Sequence, residues 1–252
     1  MVRHQRMRKT PQKLDRGSPL KEKACKSLPN SFHVAKVLDR LELCWNMEKN
    51  PPDLRHEEPL DGLILTLLSQ NTNDRNRDRA YESLRQLYPT WEEVAQADTE
   101  RIKEAIRVAG LSDIKSKRIK EILVAVQDAF GSYSIKELRK RGREQARAFL
   151  FKLPGVGAKT VACVLLFDLG YPAFPVDTHI HRFSKRIGWA HDRCKPEEIE
   201  GMLEQVVPEE RYLGGHINII THGRNICLAR QPRCDKCSVN DLCAFVINGE
   251  VQ

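Results

Sequence analysis

From Phe32 onward the chain repeats its apolar residues at helical spacing and almost never at strand spacing, and this restricts the fold more than any other feature. Val34, Val37, Leu38 and Leu41 recur at steps of three and four, which lines one face of a helix. Residues 61–69 are nearly all apolar and read as a buried helix. Amphipathic segments follow over 75–88, 99–109, 115–130, 144–153, 158–169, 178–188 and 196–207, separated by polar breaks and glycines. Strand-length runs of alternating Val, Ile and Thr are missing, as are the Asn-Gly and Asp-Gly turns of hairpins. The expectation is an all-α protein of about ten helices, ending in a short metal-binding loop. Its 252 residues, 40% of them apolar, suffice for one or two compact domains and exclude a collagen-like or wholly disordered chain. No apolar stretch approaches the roughly 18–20 residues of a membrane-crossing helix.

The formal net charge of +8 makes a polyanion the default partner. Its distribution qualifies that. Residues 1–28 carry nine bases against two acids, whereas the rest is almost balanced at 33 against 32. With Pro11, Gly17 and Pro19 and no apolar period, 1–28 is expected to be a disordered basic arm, a solvated tail with no dedicated role and a transit peptide being the alternatives. Such an arm raises affinity for nucleic acid and its salt sensitivity without taking part in chemistry. No apolar h-region follows the basic start, so export is not expected.

Cysteines are distributed just as unequally. Cys25, Cys44, Cys163 and Cys194 are scattered and expected to be thiols without function. Cys227, Cys234, Cys237 and Cys243 form the pattern C-x6-C-x2-C-x5-C. Four thiolates in so short a stretch can enclose one tetrahedral zinc ion or a cubane iron–sulfur cluster. Either way, four protein ligands leave no open position for hydrolytic chemistry.

Between two helical patterns stands Leu153-Pro154-Gly155-Val156-Gly157. Pro154 stops the first helix, and glycines let the turn bring backbone N–H groups up to an anion at the positive end of the next helix. This is the helix-hairpin-helix pattern, which grips the DNA backbone and reads no sequence. A hairpin that only packs is the plain alternative.

Lys159 follows the hairpin, and Val176-Asp177-Thr178-His179 comes next, with Asp177 eighteen residues after the lysine. On these two motifs, residues 32 to 245 resemble the endonuclease III family of helix-hairpin-helix/Gly-Pro-Asp DNA glycosylases. The resemblance implies two helical subdomains with a DNA-binding cleft between them, within a glycosylase core at 29–245 followed by a tail at 246–252. It places the hairpin at about 144–169 and gives Lys159 and Asp177 the catalytic roles. It also implies that Cys227, Cys234, Cys237 and Cys243 hold one 4Fe–4S cluster in a loop at 227–243. The chemistry agrees. Breaking an N-glycosidic bond builds positive charge on the sugar, which a carboxylate stabilises, and a neutral amine can then form a Schiff base. Asp177 as a helix N-cap and Lys159 as a phosphate-binding residue are the simpler readings.

DNA contacts are implied at Gly155, Val156 and Gly157, at Gln70 as the residue filling the gap left by an extruded nucleotide, and at Leu111 as a wedge against the orphaned base. Arg224, Arg230 and Arg233 are expected to bring basic charge to the DNA backbone around the cluster loop. The family commonly has Thr-Asp where this chain has Thr72-Asn73, with Asp74 next, which bears on base preference. The leading expectation is a bifunctional glycosylase and AP lyase, acting as a monomer on double-stranded DNA with a damaged base, an oxidised pyrimidine first, or an abasic site. A monofunctional mismatch glycosylase and a non-catalytic helix-hairpin-helix protein are the alternatives. The implied compartment is the cytoplasm of a prokaryote or the nucleus or mitochondria of a eukaryote.

Overall fold

The computed structural model of the chain describes residues 27–45 and 55–250, so the basic arm, apart from Ser27 and Leu28, lies outside the described residues. Several of the helices start where a side chain satisfies the first unpaired N–H groups. Helix α1 (Ser31–Trp45) turns Val34, Val37, Leu38 and Leu41 inward, as its spacing predicts. Helix α2 (Pro59–Leu68) opens with a proline behind a Glu58 cap and is buried nearly all round. Asn73 caps α3 (Asp74–Leu87), and Thr90 with Glu93 forms a reciprocal capping box on α4 (Trp91–Gln96). Helix α5 (Thr99–Ala105) runs into a 3-10 turn, Arg107–Ala109, and α6 (Ser112–Phe130) ends at Gly131 in the left-handed conformation. Helices α7 (Arg143–Phe151) and α8 (Ala158–Val164) flank the hairpin, and α8 closes in a π turn, Leu165–Leu169. Then come α9 (Thr178–Arg186), α10 (Pro196–Val206), α11 (Tyr212–Asn225) and the short α12 (Ala244–Ile247), which reaches into the expected tail. No strand occurs among the described residues.

Helix α11 is the long element that periodicity did not single out. It carries Gly214 and Gly215 beside His216, Asn218 and His222, and is buried on several sides, so no polar face alternates with an apolar one. Its neighbour α9 comes so close that a Cβ on Gly223 would stand 2.8 Å from Cβ of His179.

The helices pack around two cores. One is built from α2 to α8 and holds Leu60, Leu63, Ile64, Leu67 and Leu68 at its centre. Each such side chain contributes about 1.5–3 kcal/mol on full burial. The other joins α1 to the chain from Phe174 onward, through Leu38, Leu41, Phe174, Ile180 and Phe183. The described residues therefore start in one subdomain, cross to build the other, and return. Leu166 packs against both cores. The fold is all-α with two helical subdomains, as expected. Buried Cys194 is disulfide-bonded, unlike the free thiol foreseen for it. No helix among the described residues is long and apolar enough to cross a membrane.

Candidate active site

Between the subdomains lies an open cleft of about 1170 Å³. Ser69, Gln70, Gly155, Gly157 and Lys159 come to it from the first subdomain, and Asp177, His179, His216 and Arg224 from the second. The candidate nucleophile and the candidate carboxylate thus belong to opposite walls of one cavity.

The hairpin differs from its sequence reading in one respect. Gly155 has φ +74°, and a Cβ there would stand 2.5 Å from Cδ of Arg118. Gly157 is extended, with ψ at 180°, and a Cβ would meet nothing within 4 Å. Only Gly155 is required by backbone conformation; Gly157 is needed, if at all, for the approach of a ligand. Val156 is buried, anchoring the turn, and the N–H groups opening α8 have no side-chain cap. Replacing Gly155 with Ala is expected to lower stability by about 1–2 kcal/mol. Gly157→Ala is expected to leave the melting temperature unchanged while weakening DNA binding. Thermal melts paired with anisotropy titrations separate the two.

Lys159 stands in the first turn of α8, half-buried, with Cys163 one turn on. Burial pushes the Cys163 thiol up, and the neighbouring Lys159 ammonium opposes this. Asp177 caps α9: its Oδ1 accepts from the N–H groups of His179 and Ile180, both at 2.9 Å. Both capping bonds fall on one oxygen, which leaves Oδ2 for the cleft.

His216 Nδ1 donates to the Pro175 carbonyl at 2.8 Å, and the ring lies edge-on to Phe167. Burial, with the nearby Lys159 charge, depresses its pKa to about 4, so the ring is neutral at pH 7 and Nε2 carries the lone pair. The unfolded chain takes up this proton from about pH 6.5 downward and the folded chain does not until about pH 4. Stability should therefore fall across that window, by about 3 kcal/mol for this residue. Denaturant titrations from pH 7 to pH 4 check it, with His216→Asn expected to flatten the profile.

Gln70 reaches the hairpin, its Nε2 donating to the Gly155 carbonyl at 3.1 Å, while Arg118 donates to its Oε1 at 3.4 Å. Next to it Asn71 is exposed with φ +55°. Gln70, the expected gap-filling residue, and Asn71 both line the cleft. Asn73 spends its side chain on the cap of α3, accepting from Asn76 N–H at 2.9 Å. Asp74 instead lines the cleft, and Arg224 reaches it from the other wall at 2.6 Å, holding its carboxyl below the usual carboxylate range. Arg224 therefore belongs to the cleft at the end of α11 and not to the cysteine loop. Arg230 and Arg233 are exposed on that loop. Leu111 is exposed, with φ +50°, and stands outside the cleft lining.

One pair in the cleft escaped the sequence reading. Asp168, fully buried on the π turn, accepts from His56 Nδ1 at 2.6 Å. Burial pushes its carboxyl up, and His56 is raised by the same bond. Gly62 makes the room, since a Cβ there would lie 2.0 Å from Asp168 Oδ1. No local motif announces this; the signal is a lone Gly62 inside a strongly apolar helix.

Cys227, Cys234, Cys237 and Cys243 line one cavity with the apolar walls Phe183, Ile187 and Val239. Arg186 donates to Cys227 Sγ at 3.4 Å. Among the described residues, no three His, Cys, Asp or Glu side chains are placed to hold a metal ion. The donor set nonetheless suits a cubane cluster, around which thiolates stand farther apart than around one ion.

Fold, hairpin and cleft define a helix-hairpin-helix protein of base excision repair, and residues 64–209 match the family described as HhH-GPD superfamily base excision DNA repair protein. Endonuclease III of Thermotoga maritima is 36% identical over 201 residues, 79% of this chain and 89% of its own. A protein of Arabidopsis thaliana with a provisional DNA glycosylase designation is 37% identical over 69% of this chain, which spans 59% of the plant protein's length. A solved structure of a trapped endonuclease III–DNA covalent intermediate superposes with a TM-score of 0.75 at 28% identity, over 88% of this chain and 99% of that one. The chain belongs to the endonuclease III family of HhH-GPD DNA glycosylases.

Proposed function

We propose that this protein is a bifunctional glycosylase and AP lyase that excises a damaged base, an oxidised pyrimidine by preference, from double-stranded DNA. The observation that carries this is the delivery of Lys159 and Asp177 from two subdomains to one cleft, with the phosphate-binding hairpin directly before the lysine. The hairpin amides and exposed Arg224, Arg230 and Arg233 hold the backbone, while Asn71 or Gln70 and Leu111 occupy the space of the extruded nucleotide. Asp177 Oδ2 stabilises positive charge on the sugar as the C1′–N bond breaks. The base leaves with the bonding electron pair and takes the proton that Lys159 gives up, and the Nζ lone pair so freed bonds to C1′. Ring opening gives a Schiff base, loss of a C2′ proton expels the 3′-phosphate, and water frees the amine. The endonuclease III structure described as a trapped covalent intermediate supports this route.

Cys227, Cys234, Cys237 and Cys243 would hold one 4Fe–4S cluster, whose part is to order the loop that presents Arg230 and Arg233. A purified protein that is brown, with absorbance near roughly 400 nm, and four irons per chain are expected. A colourless protein with stoichiometric zinc would overturn it.

One assay tests the activity. The protein is incubated with duplexes bearing thymine glycol, adenine opposite oxidised guanine, or an abasic site. Base release with strand scission is the expected result for thymine glycol. Release with the strand intact would make the enzyme monofunctional, and neither product would leave a DNA-binding protein.

A further inference from the structure

Lys115, on the inward face of α6, is only 1% exposed, and among the described residues it meets no carboxylate. Burial lowers its pKa to about 8, with no anion offsetting that cost. An apolar side chain would fill a core position at less cost, so the ammonium needs a reason.

Its partners supply one. Nζ donates to the carbonyl of Leu68 at 2.8 Å and to that of Ala109 at 2.9 Å. Leu68 is the last residue of α2 and Ala109 the last of the 3-10 turn, and no backbone N–H among the described residues reaches either carbonyl. One cation thus satisfies the orphaned C-terminal carbonyls of two helical segments, where positive charge is favoured. Directly beyond these carbonyls the chain enters the two exposed turns at 69–71 and 110–111. Asn71, Gly110 and Leu111 all hold positive φ there, a conformation that needs external support for the two non-glycine residues. One turn further along α6, Arg118 reaches Gln70, which in turn holds the hairpin at Gly155. The two turns and the hairpin form one hydrogen-bonded frame, and Lys115 is its buried tie.

We propose that Lys115 is a positioning residue that fixes the turns at 69–71 and 110–111 relative to each other, so that both enter the duplex together when the damaged nucleotide is extruded. This rests on the glycosylase reading above. Touching no reacting atom, Lys115 should affect extrusion and leave the chemistry of an already unpaired site alone.

The test compares Lys115→Met with the wild-type holoenzyme under single turnover at saturating enzyme. One duplex carries thymine glycol with 2-aminopurine beside it to report unstacking, and the other carries an abasic site. The expected result is a loss of about tenfold in thymine glycol excision and of the 2-aminopurine rise, with abasic scission within about twofold of wild type. Equal losses on both duplexes, or none on either, would overturn the proposal. Should Lys115→Met fail to fold, Lys115→Gln keeps N–H donors on a shorter, uncharged side chain and is judged by the same comparison. Wild-type protein that unstacks the duplex but leaves abasic DNA uncut would count against the Schiff-base reading alone. The fluorescence comparison would then still decide the role of Lys115.

Discussion

Lys159→Ala is expected to abolish the covalent adduct that borohydride traps between the enzyme and abasic DNA, and to reduce strand scission on the order of 10⁴-fold or more. The amine is the only group in the proposed route that bonds to C1′, so no neighbour replaces it. Folding should survive. Lys159 is half-buried at the start of α8, and its truncation removes a contact with Cys163 but no cap. Melting should therefore shift by no more than about 0.5 kcal/mol in free energy. Persistence of the adduct would remove Lys159 from the mechanism. Base release without scission would show that water attacks the sugar and that the lysine serves only the lyase step.

Asp177→Asn should separate two functions held on one side chain. Asparagine caps helices as well as aspartate, so Oδ1 can still accept from His179 and Ile180 and stability should stay within about 0.5 kcal/mol. The charge is lost, and with it stabilisation of the developing sugar cation, for a fall in excision of about 10²–10³-fold. Asp177→Ala should lose the same activity and in addition about 1 kcal/mol of stability. Single-turnover excision and denaturant titration on the three proteins make the comparison. Full activity in Asp177→Asn would reduce the residue to a helix cap.

Much of the fold was legible because helices are local. The apolar period of α1, the buried run of α2 and the proline and glycines of the hairpin each act within a few residues. Helix α11 was harder to read. Its small and polar residues are buried by partners on α1 and α9, so its own sequence carries no clear face. The surroundings of Gln70 were illegible for a related reason. Its amide reaches 85 positions along the chain to Gly155, and the next residue, Asn71, takes an exposed left-handed position; neither is written in the local sequence.

By itself the sequence determined the helical class, the hairpin, the spacing of Lys159 and Asp177 and the four clustered cysteines, because each is a pattern within a short stretch of chain. Only the tertiary structure decided which residues share the cleft. It brought Asp74 to Arg224 across 150 positions, seated Asp168 against the bare backbone of Gly62, and drew Lys115 onto two helix-end carbonyls 47 and 6 residues away. The reason is energetic. A buried charge is tolerated only where hydrogen-bond partners converge on it, and their convergence is set by how two cores pack, not by local spacing.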